Sequence, residues 1–116
     1  MSSKKKYSVY VVELSRKVWN ESEKFRKANP QYNGVLECLY VGMTSQSPHE
    51  RFKKHKQGYR TKKGYKISSW FVEKYGLYLR PSLYETYNPL SKEEAIQMEK
   101  QLALDLKRKR YAVWWN

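Results

Sequence analysis

Arg51 and His55 lie four residues apart in a stretch whose helical start is clearly signalled. Ser47-Pro48-His49-Glu50 offers a serine at the N-cap, a proline at the first helical position and a glutamate three residues past the cap. That pattern is a capping box, and the proline gives up an amide that had no helical partner anyway. On such a helix Arg51 and His55 project from one face. Just before it, Leu39-Tyr40-Val41-Gly42 reads as a strand ending on a glycine. A tyrosine and a glycine at a strand end thus face a fixed cation and a titratable base. Such a set can hold a phosphate and move a proton.

A carboxylate stands apart from this group. Ser91-Lys92-Glu93-Glu94 is a second capping box, with Leu90 placed for a hydrophobic staple to Ala95. At about 100° per residue, Ala95, Ile96, Met98, Leu102, Ala103 and Leu106 share one apolar arc. Glu99 falls in the middle of that arc, and its neighbours three and four away are Ala95, Ile96, Leu102 and Ala103. None of these is a cation, and burying a carboxylate alone is costly. A metal must satisfy it, or a basic side chain from another element such as Arg51.

These residues need elements to position them. Tyr7 to Leu14 alternates with apolar residues on both faces, which predicts a strand covered on both sides. Residues 15–34 follow, charged, with one helix-like piece at about Glu21 to Ala28 and turn signals at Asn29-Pro30 and Asn33-Gly34. They read as a connection inserted between two neighbouring antiparallel strands. Arg16, Lys17, Lys24, Arg26 and Lys27 make it basic, either a solvated face or a substrate contact. The second strand runs from Val35 to Gly42. The capped helix then ends near Gly58 and carries Lys53, Lys54 and Lys56. Tyr59 to Lys66 is a basic loop with interleaved tyrosines, and Arg60, Lys62, Lys63 and Lys66 in it suit a phosphate backbone. A short helix from about Ser68 to Tyr75 stops at Gly76. Leu77, Leu79 and Leu83 alternate along a third strand, which Pro81 places at a sheet edge. Residues 111–116 read as a short strand or extended tail whose aromatics pack on the body.

With 116 residues the chain makes one compact domain, 7–116, behind a short basic arm, 1–6. Twenty-four Lys and Arg against 11 Asp and Glu give a net charge of +13, which favours a polyanionic partner. Eleven tyrosines and four tryptophans among those cations can stack on bases, so nucleic acid is the leading partner class. Cys38, the single cysteine, excludes a disulfide framework and a cysteine zinc site, and fits a reducing compartment. No stretch has the length and apolarity of a membrane span or signal peptide. The expected setting is the cytoplasm or the nucleoid.

In order along the chain, these motifs resemble the GIY-YIG nucleases. Ser8-Val9-Tyr10 stands where that family has its first tripeptide, with Ser8 in place of the usual glycine, and Tyr40-Val41-Gly42 stands where it has the second. Thr44, Arg51 and His55 fit the helix pattern that follows, Glu99 fits the late-helix glutamate, and Asn116 stands where an asparagine often follows that helix. The resemblance covers most of the chain, with residues 15–34 as an extra-long connection. It implies a small α/β fold with a three-stranded antiparallel sheet flanked by helices. It also implies a metal-dependent endonuclease that hydrolyses DNA phosphodiester bonds. One Mg²⁺ or Mn²⁺ would be held by Glu99, with Arg51 stabilising the phosphoryl charge and Tyr10 deprotonating water. Tyr40 and His55 are helpers of Tyr10 or competitors for that role, and Gly42 is an additional family position. The implied partner is DNA, branched or nicked DNA included. With no second DNA-reading domain visible, specificity would come from the insertion, a homodimer or a partner protein. The alternative from another class is a catalytically inactive nucleic-acid-binding module on the same fold.

Overall fold

In the computed structural model, which describes residues 5–57 and 70–115, the first apolar run becomes strand β1 (Ser8–Leu14). Val9 to Val12 are buried without exception, so the strand is covered on both faces as its alternation predicts. β2 (Cys38–Thr44) pairs with it antiparallel, Ser8 opposite Thr44 and Leu14 opposite Cys38. β3 (Gly76–Leu79) pairs antiparallel with the other side of β1. The last strand, β4 (Ala112–Trp115), runs parallel to β2, and the sheet order is β3-β1-β2-β4. The protein is therefore a mixed α/β fold with a four-stranded mixed sheet, not the three-stranded antiparallel sheet expected. The fourth strand follows from the crossover: the last helix carries the chain back, so the strand after it runs with β2.

Three boundaries differ from the sequence reading. β2 runs on through Gly42 to Thr44, so this glycine lies inside the strand and not at its end. The other two differ for identifiable reasons. β2 begins at Cys38 rather than Val35, because the Arg16 guanidinium donates to the carbonyls of Gly34, Val35 and Leu36 at 3.0, 2.7 and 3.2 Å. Those acceptors are no longer available to a ladder, and Gly34 turns with φ +82°. β3 stops at Leu79, and Leu83 belongs to a 3₁₀ turn (Pro81–Leu83), since Pro81 has no amide to continue the strand. β3 does lie at the sheet edge.

The inserted connection is a packed unit. It forms α1 (Lys17–Glu21) and α2 (Glu23–Lys27), where one helical piece was expected. Ser22 breaks them with an extended backbone, and its hydroxyl accepts from the Phe25 amide at 3.1 Å. Buried Asn29 then ties the insertion to β4: its amide nitrogen donates to the Phe25 carbonyl at 2.9 Å, and its oxygen accepts from the Val113 amide at 2.7 Å.

Helices cover both faces of the sheet. α3 (Pro48–Gln57) and α4 (Trp70–Tyr75) lie on the face of Tyr10, Val12, Tyr40 and Trp114. His55 of α3 meets Tyr10, and the Phe71 ring of α4 lies 4.9 Å from that of Trp114. α5 (Lys92–Arg108) covers the opposite face with Ala95, Leu102, Ala103 and Leu106, and its Lys107 sits 5.1 Å over the Trp115 ring. Ile96 is 54% exposed, so the apolar arc of α5 is narrower than its sequence suggested. Among the described residues no helix is long and apolar enough to cross a membrane.

Candidate active site

Tyr10 and Gly42 face each other across β1 and β2. A Cβ added at Gly42 would stand 2.6 Å from both Cζ and Oη of Tyr10, so only a glycine lets the phenol ring lie across β2 at this level. Tyr40 shares that face, paired with Val12 two register steps away. α3 brings His55 onto both rings. Tyr10 Oη and His55 Nε2 are 2.7 Å apart, with the tautomer setting which of them donates. Ring centroids lie 6.1 Å apart for Tyr10–Tyr40, 6.1 Å for Tyr10–His55 and 5.7 Å for Tyr40–His55. All three side chains are buried.

Arg51, one turn before His55, is half-buried, and its guanidinium lies beside the Tyr10 hydroxyl. The electrostatics follow from burial. Burial raises the Tyr10 phenol well above its ordinary value, and Tyr40 adds to this while Arg51 counters it. Burial, and after it the Arg51 charge, pushes the His55 imidazole down to about 4. At neutral pH the buried pair is therefore an un-ionised phenol hydrogen-bonded to a neutral imidazole, with one permanent cation at its edge.

That cation opens to solvent. A cleft of about 310 Å³ at the end of the sheet is lined by Tyr7, Met43, Thr44, Gln46, Arg51 and Lys54. Arg51 thus belongs to both the buried cluster and the open cleft, and Lys54 lines that cleft with it. Lys53 is exposed on the same helix. Lys56 points elsewhere, donating to the carbonyls of Glu73 and Gly76 at 3.2 and 3.0 Å. Arg60, Lys62, Lys63, Lys66 and Asn116 lie outside the described residues, as do residues 1–4 of the basic arm.

Glu99 is placed differently. It lies on α5, across the sheet from the tyrosines and His55, and forms no hydrogen bond or ion pair among the described residues. Burial alone pushes its carboxyl up to about 7. Ala95, Leu102 and Ala103 around it are buried, while Glu99, like its neighbour Met98, is only half-buried. β4 ends at Trp115, level with Val41, which leaves Gly42 to Thr44 of β2 beyond the reach of that strand. The ion pair with Arg51 is not formed, and a carboxylate without a cation suits a divalent metal. Among the described residues no three His, Cys, Asp or Glu gather into a metal site. Mg²⁺ needs no such cluster, since one carboxylate plus waters and phosphate oxygens suffices.

Asn88 was not singled out from sequence. Its side chain accepts from the Val9 amide and donates to the Val9 carbonyl, both at 2.9 Å, which fixes β1 immediately before Tyr10. Tyr7 and Gln46, which line the cleft, were missed as site residues as well. No local pattern marks any of the three. Comparisons with protein-family models, curated proteins and solved structures return no significant match.

Proposed function

We propose that the chain is a metal-dependent endonuclease of the GIY-YIG type, acting on DNA in the cytoplasm or on the nucleoid. The observation that carries this reading is the Tyr10–His55 hydrogen bond with Arg51 beside it at the mouth of a cleft. A plain core has no need of a buried phenol–imidazole pair held next to a cation. Arg51 would take the phosphoryl oxygens of the scissile phosphate by two parallel hydrogen bonds and stabilise charge that gathers there. Glu99 would hold one Mg²⁺ or Mn²⁺, which supplies charge stabilisation to a phosphate. Because Glu99 lies on the other face of the sheet, serving the phosphate on Arg51 requires the substrate to pass the sheet end at Gly42 to Thr44, beyond β4.

The chain's own residues then manage the proton. As water attacks phosphorus, its proton passes to Tyr10 Oη while the Tyr10 proton passes to His55 Nε2, and the bond from phosphorus to the leaving oxygen breaks. The Arg51 charge opposes protonation of His55 in the free protein. A phosphate on Arg51 offsets that charge, so substrate itself makes His55 the better acceptor. In this scheme Tyr40 packs against both rings and holds them in register. Sequence or structure preference would come from the insertion, from a homodimer or from a partner protein.

The separation of Glu99 from the cluster favours a second reading, a binding module on the same fold without turnover. One variant distinguishes the two. Arg51→Ala should lower nicking of plasmid DNA by about a hundredfold or more while changing duplex affinity only a few-fold. Arg51→Lys should recover little, because a point charge cannot make the paired contact. Loss of binding and cleavage in equal measure would make Arg51 an ordinary phosphate contact.

A further inference from the structure

Away from the Arg51 cleft, α4 presents Trp70 to solvent with 50% of its surface open. An exposed tryptophan alone is ordinary, but this one carries a cation on its ring. The Lys74 ammonium lies 5.2 Å from the Trp70 centroid and 5.3 Å from that of Tyr75. Tyr75 and Phe71 meet the indole edge-on at 5.8 and 5.3 Å, which holds its plane in place. Beside it a cleft of about 410 Å³ is lined by Lys17, Lys56, Lys74, Glu21, Tyr75 and Leu77. Glu21, the acid among them, is engaged by the Tyr75 hydroxyl at 2.7 Å and by Lys74 at 3.7 Å. The cleft therefore stays positive, three lysines against one carboxylate.

We propose that Trp70 with Lys17, Lys56 and Lys74 forms a stacking subsite for an unpaired nucleotide of single-stranded nucleic acid. The indole offers a base the face that the Lys74 ammonium does not cover, and Lys17 stands at the cleft to receive a flanking phosphate. Lys56 and Lys74 add positive charge while they hold the Glu73 and Gly76 carbonyls and Glu21. A paired base in continuous duplex keeps its faces inside the stack and cannot use Trp70. Lys56 is five residues beyond Arg51, about 8 Å along the α3 axis but on another side of the helix, so a substrate reaches both clefts only by passing around α3. A substrate touching both would carry a single-stranded stretch next to the bond that Arg51 holds, as flaps, forks and gapped DNA do. The subsite rests on the nucleic-acid part of the proposed function and is independent of hydrolysis.

The test is fluorescence anisotropy of the 116-residue chain with a labelled oligothymidylate and a labelled duplex of equal length. Trp70→Ala should weaken oligothymidylate binding about tenfold or more and leave duplex binding within twofold. Trp70→Phe, which keeps an aromatic ring in α4, should restore most of the lost single-strand affinity. Unchanged duplex binding also reports that the Ala variant is folded. Equal loss toward both probes, or no loss toward either, overturns the subsite. Wild-type protein that binds oligothymidylate through Trp70 yet cuts no DNA overturns the nuclease reading and supports the subsite. Cleavage with a silent Trp70→Ala does the reverse.

Discussion

At the scale of single residues, burial acts on Glu99 and His55 with opposite consequences. It disfavours charge at both, raising the carboxyl from its ordinary 4.5 to about 7 and lowering the imidazole from 6.5 to about 4. Between pH 4.5 and 7 the native state binds more protons at Glu99 than the unfolded chain does, so this residue lowers stability as pH rises through that window. His55 does the opposite: its contribution is full above pH 6.5 and is lost as pH falls toward 4. The two slopes largely cancel in the wild-type protein. Glu99→Gln should uncover the His55 slope, matching the wild type near pH 4 and exceeding it at pH 8 by on the order of 1–2 kcal/mol after allowing for solvent screening of a half-buried group. Mg²⁺ at pH 8 should raise the melting temperature of the wild type and not of the variant. Thermal melts from pH 4 to 8 measure both effects. A Gln variant that melts lower than wild type at pH 8 would mean that the carboxylate has a cationic partner.

At the scale of elements, Gly42 couples the sheet to the site. Gly42→Ala should cost about 1–3 kcal/mol by overpacking, because the Tyr10 ring has nowhere to move inside a buried face. The displaced phenol should also lose His55, so cleavage should fall further than stability alone explains. Denaturant melts and nicking assays on the same preparation separate the two effects, and an Ala variant with full activity would remove Tyr10 from the chemistry. The local signals were readable in the sequence. Both capping boxes announce real helices: the Ser47 hydroxyl accepts from the Glu50 amide at 3.2 Å, and Ser91 and Glu94 cap each other reciprocally. The alternation of β1 was equally plain. What the sequence hid depends on partners far away along the chain. Arg16 shortens β2 from 18 to 20 residues upstream, Asn29 meets Val113 across 84 residues, and Asn88 meets Val9 across 79. The parallel pairing of β4 and the exposure of Ile96 likewise depend on how α5 lies on the sheet, which no window of sequence contains. Of the site, Tyr40 and the Arg51–His55 helix face come together as their spacing suggested, Tyr10 was singled out only by the family resemblance, and the placement of Glu99 across the sheet was not legible.

At the scale of the whole molecule, a net charge of +13 should dominate encounter with DNA. The logarithm of affinity should fall steeply and linearly with the logarithm of salt concentration, and a flat response would remove nucleic acid as the partner. Binding alone does not make a nuclease, and the central claim is that the Tyr10–His55–Arg51 cluster and Glu99 serve one hydrolytic centre. The most direct measurement is nicking of supercoiled and branched DNA by the wild type, Arg51→Ala and Glu99→Gln proteins in Mg²⁺, Mn²⁺ or EDTA. The expected result is cleavage by the wild type with either metal, none in EDTA, and collapse of the rate in both variants while binding persists. Wild-type protein that binds these DNAs and cuts none of them with either metal, or a Glu99→Gln protein that cuts at the wild-type rate, would contradict it.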